Sequence, residues 1–196
     1  MKRMNLCIDI DGTMTEPYYW LERANAYFEA RLKPEDIKVY EIHKLFNVEE
    51  SAYKEFYKQF GKALHRESEI RFGAREAINR LYYYHQIHFV SAREERMREI
   101  TMEWFKKHEI QMDSITFLGC PYKVCKAEEL ECDIFIEDSY DNALQLSEAG
   151  FDVLLMDCTY NKGALPPNII RVKSWHQIVK IIENQAHQRF ADYKMA

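Results

Sequence analysis

Two acidic residues, Asp9 and Asp11, follow an apolar stretch near the start of the chain and are the first that could carry chemistry. The stretch is rich in β-favouring residues and ends at Gly12 and Thr13, so it predicts a buried strand followed by a turn. Side chains two positions apart on a strand point the same way, so both carboxylates are expected to face one small space. Crowded, buried carboxylates repel each other, and this pattern predicts a hard divalent cation, Mg²⁺, as their partner.

The turn after Asp11 predicts an anion site beside the cation site. Gly12 can turn sharply and leave backbone N–H groups directed into the same space, and such groups attract anions. Gly12 and Thr13 are therefore candidate phosphate-binding residues. A surface turn after a strand is the alternative for so short a string.

Composition limits the classes of protein to consider. The chain has 196 residues, 47% of them apolar, and a formal charge of −5, which favours one globular domain or one domain with an insertion. The acidic balance, without a dense Lys/Arg run, argues against a nucleic acid polymer as partner. We expect no signal peptide, no membrane partner and a cytoplasmic location. The five cysteines form no zinc-binding spacing and are expected to be free thiols.

The chain is predicted to fold as an α/β protein. From Gly73 onward strands alternate with helices, which implies an open, Rossmann-like parallel sheet with helices on both faces. Residues 15–72 read as a helical insert after the first strand, too long for a simple crossover connection and better interpreted as a small cap. The predicted division is an α/β core of residues 1–14 and 73–196 and a helical cap of residues 15–72.

The predicted strand ends bring distant polar residues together, because ligands bind at the carboxyl edge of an open parallel sheet. Ser91 ends the second strand, Lys123 lies in the loop after the third, and Glu137-Asp138 end the fourth. A hydroxyl can hold phosphoryl oxygens, a lysine can neutralise their charge, and separated acids can bind Mg²⁺. Lys123 is preferred to Lys126, which falls on the following helix. Ser91 and the acidic pair could instead cap the helices that follow them.

The string Asp9-Ile10-Asp11-Gly12-Thr13 resembles the first motif, DxDGT, of phosphatases of the haloacid dehalogenase superfamily. The resemblance implies that Asp9 attacks phosphorus and that Asp11 is the general acid and base. Two carboxylates of this kind would divide hydrolysis into formation and breakdown of an aspartyl-phosphate.

Later residues match the remaining motifs of that superfamily in order. Ser91 resembles the second motif, whose hydroxyl binds the phosphoryl group, and Lys123 resembles the lysine of the third. Glu137-Asp138 resembles the acidic fourth motif. On this resemblance the metal is expected to bind Asp9, Asp138 and the main-chain carbonyl of Asp11, with Glu137 as the alternative to Asp138. Asp141 is a candidate for orienting the lysine or a metal-bound water.

The helical insert lies where the superfamily places its type-1 caps, and the whole pattern is most similar to the 5′(3′)-deoxyribonucleotidases and related bacterial nucleotidases. The chain departs from the characterised deoxyribonucleotidases at Glu137-Asp138, where they have Asp-Asp, and at Ser91-Ala92, where a proline follows the serine. The resemblance implies a Mg²⁺-dependent hydrolase acting on a small phosphorylated metabolite, a nucleoside or deoxynucleoside monophosphate. The alternatives are a phosphatase of a sugar phosphate or other metabolite, and a non-catalytic protein that binds a phosphorylated ligand.

Substrate selection is assigned to the cap and its entrance. Tyr18, Tyr19 and Trp20 directly follow the predicted catalytic loop and could either stack on a base or pack the cap against the core. Arg93 could reach a phosphate or pair with the neighbouring Glu94 or Glu95. An aromatic-rich surface is also compatible with a homodimer.

Overall fold

The computed structural model describes residues 3–195, with side chains described as far as residue 185. Within these residues, six strands and eight α-helices follow one another. The strands are β1 (Asn5–Ile8), β2 (Gln86–Ser91), β3 (Ser114–Phe117), β4 (Ile134–Glu137), β5 (Asp152–Met156) and β6 (Ile169–Val172). The helices are α1 (Leu21–Tyr27), α2 (Ile42–Leu45), α3 (Glu50–Glu67), α4 (Ala74–Tyr82), α5 (Arg98–Lys107), α6 (Val124–Glu129), α7 (Tyr140–Glu148) and α8 (Trp175–Met195).

All six strands pair in parallel, in the order β3-β2-β1-β4-β5-β6. The first strand lies inside the sheet, with Ile8 opposite Phe89 of β2 on one side and Ile136 of β4 on the other. A central parallel strand is covered on both faces and needs apolar residues throughout, as β1 has. The sheet reverses its order beside β1, so a crevice opens at the carboxyl ends of β1, β2 and β4. The predicted fold class is confirmed.

Two apolar layers hold the helices on the two faces of the sheet. Leu6 and Ile8 of β1 belong to one layer, which includes residues of α4, α5 and α8, whereas Cys7 belongs to the other, with α6 and α7. This is the alternation that a pleated strand imposes on its side chains. Helices on both faces keep the strand ends in fixed positions, which the site requires.

The helices between β1 and β2 form a third apolar cluster of their own. Trp20, Leu21, Phe56 and Leu64 are buried in it. The chain leaves the sheet and returns to it side by side, since Thr15 forms an antiparallel bridge with Ile70. This is the helical insert expected after the first strand, and its bounds at residues 15–72 stay a prediction.

Two local predictions were wrong. The charged amphipathic pattern of residues 92–108 predicts a helix from Ala92, but α5 begins only at Arg98, after a 3-10 turn at Glu95–Met97. His85 and His88 have no metal-binding spacing, which favours surface or interface positions, but both are buried, and Nδ1 of His85 accepts the Met4 N–H at 3.3 Å. In the described part of the chain no helix is long and apolar enough to cross a membrane.

Candidate active site

Lys123 lies at the centre of the crevice formed by the strand ends. It precedes α6, its side chain is 1% exposed, and its ammonium group donates to the carboxylates of Asp9 and Glu137, the latter at 2.7 Å. Burial disfavours the ammonium ion, but these two carboxylates outweigh that effect and raise the pKa of Lys123. Lys126 instead pairs with Glu129 on α6. The preference for Lys123 over Lys126 therefore agrees with the geometry.

Glu137, the alternative metal ligand of the sequence analysis, accepts hydrogen bonds at both carboxylate oxygens. Oε2 accepts from Lys123, and Oε1 accepts the backbone N–H groups of Asp138 at 3.2 Å and Ser139 at 3.0 Å. These bonds fix the carboxylate at the end of β4, where it orients the lysine. Asp141, proposed for that task, lies exposed on α7.

Three buried carboxylates meet at this point. Asp9, Glu137 and Asp138 each offer an oxygen, and the three oxygens lie within 4.8 Å of one another. Burial raises the pKa of Asp9 to about 7, with Lys123 opposing and Glu137 adding to the shift. Burial, Glu137 and Asp9 likewise raise the pKa of Asp138 well above its ordinary value. Three carboxylates around one ammonium ion leave excess negative charge, so the site fits a hard divalent cation.

Asp138 is also held by the loop after β5, which sequence analysis did not connect with the site. The Tyr160 hydroxyl donates to Oδ2 at 2.5 Å, and the Thr13 hydroxyl donates to Oδ1 at 3.4 Å. Asn161 donates to the Asp138 carbonyl at 2.7 Å. The carboxylate is thus positioned from both sides before any ligand binds.

The carboxylate of Asp11 does not join this cluster. Arg93 donates to both of its oxygens, through Nε at 2.8 Å and Nη2 at 2.6 Å. Although burial opposes ionisation, the Arg93 guanidinium holds the pKa of Asp11 well below its usual range. The expectation that Asp9 and Asp11 face one cation was wrong for the side chains, because β1 ends at Ile8 and strand alternation no longer governs the residues after it.

Arg93 does not pair with Glu94 or Glu95, one of the two roles considered for it in the sequence, and its contact with a phosphate stays a prediction. Its side chain is 1% exposed and lies against Asp11 and the Thr101 hydroxyl, which Nη1 meets at 2.9 Å. Glu94 pairs instead with Arg96, and Glu95 with Arg98. Arg93 therefore compensates the negative charge of Asp11 within the site.

The cap supplies two further groups near Asp11. The Tyr19 hydroxyl donates to Oδ1 at 2.8 Å, and Nδ1 of His65 lies 3.5 Å from the same oxygen. His65 is buried at the end of α3, and burial together with the Arg93 charge lowers its pKa. Sequence analysis missed His65 because a lone histidine on a helix carries no signal of what it faces.

The candidate phosphate-binding residues follow the ends of β1 and β2, and of these Gly12 borders the open space whereas Ser91 and Thr13 are fully buried. Ser91 is fully buried at the end of β2, where its hydroxyl accepts the Arg93 N–H at 3.1 Å. The Gly12 N–H donates to the Thr15 hydroxyl at 3.0 Å, so this amide is engaged within the turn. Phosphate binding by Ser91, Gly12 and Thr13 stays a prediction.

Gly12 is required for a second reason, the close approach of Asp138. Its φ is +83°, and an added Cβ would lie 2.2 Å from Oδ2 of Asp138. Gly150 has a φ of +93° with nothing within 4 Å, so it is a matched control. We expect Gly12→Ala and Gly150→Ala each to lose about 1–2 kcal/mol of unfolding free energy from the left-handed backbone. Only Gly12→Ala should also lower kcat/KM, by about 10²-fold, because it displaces a carboxylate.

Thermal unfolding and phosphate release of the two variants check this prediction. Equal activity in Gly12→Ala and Gly150→Ala would show that the close contact with Asp138 does not matter for turnover.

A cavity of about 390 Å³ opens from this site toward the cap. Asp11, Arg93 and Asp138 lie at its floor. Six aromatic side chains contribute to its wall, namely Tyr19, Trp20, Tyr40, Tyr53, Tyr57 and Tyr160. The helical spacing of Tyr53 and Tyr57 predicts the cap's own apolar face, but both border the cavity. The Tyr18 hydroxyl instead forms a hydrogen bond with the Thr159 hydroxyl at 2.8 Å. A cavity of this size and lining suits a small molecule with one planar apolar part and one anionic part.

Comparison with known proteins agrees with this geometry. Residues 3–189 match the sequence model of the family described as 5′ nucleotidase, deoxy (pyrimidine), cytosolic type C protein. A protein of Clostridium acetobutylicum named nucleotidase CA_C3379 is 44% identical over 183 residues, covering 93% of this chain and 95% of that protein.

Solved structures support the fold. A haloacid dehalogenase-like family hydrolase of Xanthomonas campestris superposes with a TM-score of 0.66 at 12% identity, covering 95% of this chain and 97% of that one. A haloacid dehalogenase-like family protein of Streptococcus pneumoniae gives a TM-score of 0.62 at 14% identity, with coverage of 79% and 85%. At such identity the likeness concerns the fold alone.

Proposed function

The chain belongs to the cytosolic type C family of 5′-nucleotidases, and from this premise we propose that it hydrolyses nucleoside or deoxynucleoside monophosphates through a phosphorylated Asp9. Membership makes it a nucleotidase with the haloacid dehalogenase fold. The observation that carries the proposal is the aromatic cavity, which opens directly onto paired acid and cation groups. A base can stack on the rings while its phosphate reaches the floor.

Asp9 is the proposed nucleophile. Its carboxylate is buried beside Lys123, which holds one oxygen and offsets negative charge that develops on the phosphoryl group. The phosphorus–oxygen bond to the nucleoside breaks as the bond to Asp9 forms. Ser91, at the end of the neighbouring strand, is the proposed donor to the phosphoryl oxygens.

Asp11 is the proposed general acid and base. It gives a proton to the leaving oxygen and then takes one from the water that cleaves the aspartyl-phosphate. Its ion pair with Arg93 keeps it ionised in this state, so we propose that the incoming phosphate competes for Arg93 and allows Asp11 to be protonated.

Mg²⁺ is the proposed cofactor, and the site's oxygen donors suit it. Asp9, Asp138 and the main-chain carbonyl of Asp11 would hold it, with Glu137 beside them engaged by Lys123. When bound, the ion supplies positive charge that the three carboxylates and the phosphate require.

Phosphate release from a substrate panel tests the proposal. The panel contains 5′- and 3′-monophosphates of ribo- and deoxynucleosides, sugar phosphates and p-nitrophenyl phosphate, each with Mg²⁺ and with EDTA. We expect Mg²⁺-dependent turnover, with kcat/KM for nucleotides at least about tenfold above that for sugar phosphates, a difference of about 1.4 kcal/mol.

Two outcomes contradict the proposal in different ways. A preference for sugar phosphates would assign the same chemistry to another metabolite. Absence of turnover on every ester with Mg²⁺ present would indicate a protein that binds phosphorylated ligands. The Asp9→Asn variant, purified in parallel, controls for contaminating phosphatases.

A further inference from the structure

A chain of hydrogen bonds runs from the cap helix α3 to the proposed acid. The Tyr57 hydroxyl lies 2.8 Å from Nε2 of His65, and Nδ1 of His65 lies 3.2 Å from the Tyr19 hydroxyl. The Tyr19 hydroxyl in turn donates to Oδ1 of Asp11 at 2.8 Å. All three linking residues, Tyr57, His65 and Tyr19, come from the cap, whereas Asp11 comes from the loop after β1.

The donor and the acceptor of each hydrogen bond in this chain can be assigned in turn, starting from the Asp11 carboxylate. An ionised Asp11 can only accept, so Tyr19 donates its proton to the carboxylate. The Tyr19 oxygen then accepts from Nδ1–H of His65, which leaves a lone pair on Nε2 to accept from Tyr57. This order requires a neutral imidazole, in agreement with the lowered pKa of His65.

His65 is buried, and its hydrogen bonds connect the cap to the Asp11 carboxylate. His65 is 3% exposed, and a buried imidazole is unfavourable unless both of its nitrogens are bonded. Both are bonded here, and the chain of donors ends on the carboxylate. Arg93, from the core, donates to both oxygens of the same carboxylate. Asp11 is thus held between the core and the cap.

We propose that Tyr57, His65 and Tyr19 act as positioning residues that orient the Asp11 carboxylate for proton transfer, so that the cap completes the acid–base apparatus. The inference rests on the proposed role of Asp11. None of the three is a catalytic residue, since each acts through its neighbour. A carboxylate that is free to rotate loses its alignment with the leaving oxygen.

Leaving-group dependence separates positioning of an acid from a structural role. A nucleoside leaves as an alkoxide and needs the proton, whereas p-nitrophenolate leaves readily without it. We expect Tyr19→Phe and Tyr57→Phe to lower the first-turnover rate of nucleoside release by about 10-fold or more, and to change the first-turnover rate of p-nitrophenolate release by less than about 3-fold. Asp11→Asn should show the same first-turnover selectivity with a larger loss, whereas its steady-state rate should fall on both substrates, because Asp11 also takes the proton from the water that cleaves the aspartyl-phosphate.

The double variant adds a readout that packing alone would not give. If the effect of Tyr57 reaches Asp11 only through Tyr19, then Tyr57→Phe should have little further effect in a Tyr19→Phe background. Tyr140→Phe is the matched control, because it also removes a hydroxyl bonded to protein, the Ala164 carbonyl at 2.6 Å, away from the cavity. The Tyr140→Phe variant should hydrolyse both substrates at the wild-type rate.

The outcomes distinguish this inference from the proposed function. Losses in the tyrosine variants that are selective for nucleotides and non-additive in the double variant support the positioning role of the hydrogen-bond chain. If Asp11→Asn loses activity selectively, but each tyrosine variant loses activity equally on both substrates or not at all, the inferred positioning role is wrong. The proposed role of Asp11 as acid then still stands. A first-turnover loss in Asp11→Asn that is equal on both substrates overturns the proposed acid, and the inferred role of the three positioning residues with it.

Discussion

Replacing Asp9 with asparagine is expected to reduce phosphate release from every substrate by at least about 10⁴-fold, because an amide oxygen cannot form the covalent intermediate. The fold should persist. Asparagine keeps the shape of the side chain and can still accept from Lys123. It also removes one of three crowded, buried carboxylates, which lessens their mutual repulsion.

Steady-state phosphate release and thermal unfolding of the same preparation measure the two parts of this prediction. Asp152→Asn, at the opposite end of the sheet, is the control for a generic loss of carboxylate charge and should retain full activity. An Asp9→Asn protein that is folded and turns over at more than a few per cent of the wild-type rate would remove Asp9 from the reaction.

The second large effect is expected from Asp138→Asn. Loss of a metal-holding carboxylate should lower activity at fixed Mg²⁺ by more than about 10²-fold. A cation that binds only the folded state at 100 times its Kd stabilises the protein by about 2.7 kcal/mol. Wild-type protein should therefore unfold at a higher temperature with Mg²⁺ than with EDTA, and the variant should show little of this response.

The metal-free variant is expected to be more stable than metal-free wild type, by a margin that depends on pH. Burial, Glu137 and Asp9 raise the folded-state pKa of Asp138, so the folded protein binds more protons than the unfolded chain above pH about 4. Its carboxylate therefore lowers wild-type stability as pH rises from about 4. Asparagine lacks this titration, so the difference between the variant and wild type should grow toward pH 8.

Unfolding in EDTA at pH 5 and pH 8 measures that difference, and the wild type serves as reference for all other titrating groups. A variant that is less stable than wild type at pH 8, or a Mg²⁺ response that survives the substitution, would show that Asp138 does not hold the ion.

The sequence was most informative where the backbone pattern alone sets the position. Strands separated by helices imply a parallel sheet, and its carboxyl edge brings Asp9, Lys123 and Asp138 together without any knowledge of side-chain packing. The choice of Lys123 over Lys126 needed only the position of a helix start.

Contacts that depend on side-chain direction were not predictable in this way. Arg93 was weighed as a phosphate ligand or a surface ion pair, and its ion pair is instead with Asp11, from the loop between β2 and α5. Tyr160 follows a strand end and could have been included as a candidate on that ground. His65 could not, since its neighbours are set by how the cap lies on the core.

The most direct test of the account is to find the phosphoryl group itself. Enzyme mixed with a nucleoside monophosphate and Mg²⁺, quenched in acid during the first turnover and digested, should yield one peptide heavier by one phosphoryl group, with that group on Asp9. Asp9→Asn should yield none. A phosphoryl group on another residue, or a burst of nucleoside release with unmodified Asp9, would contradict the account.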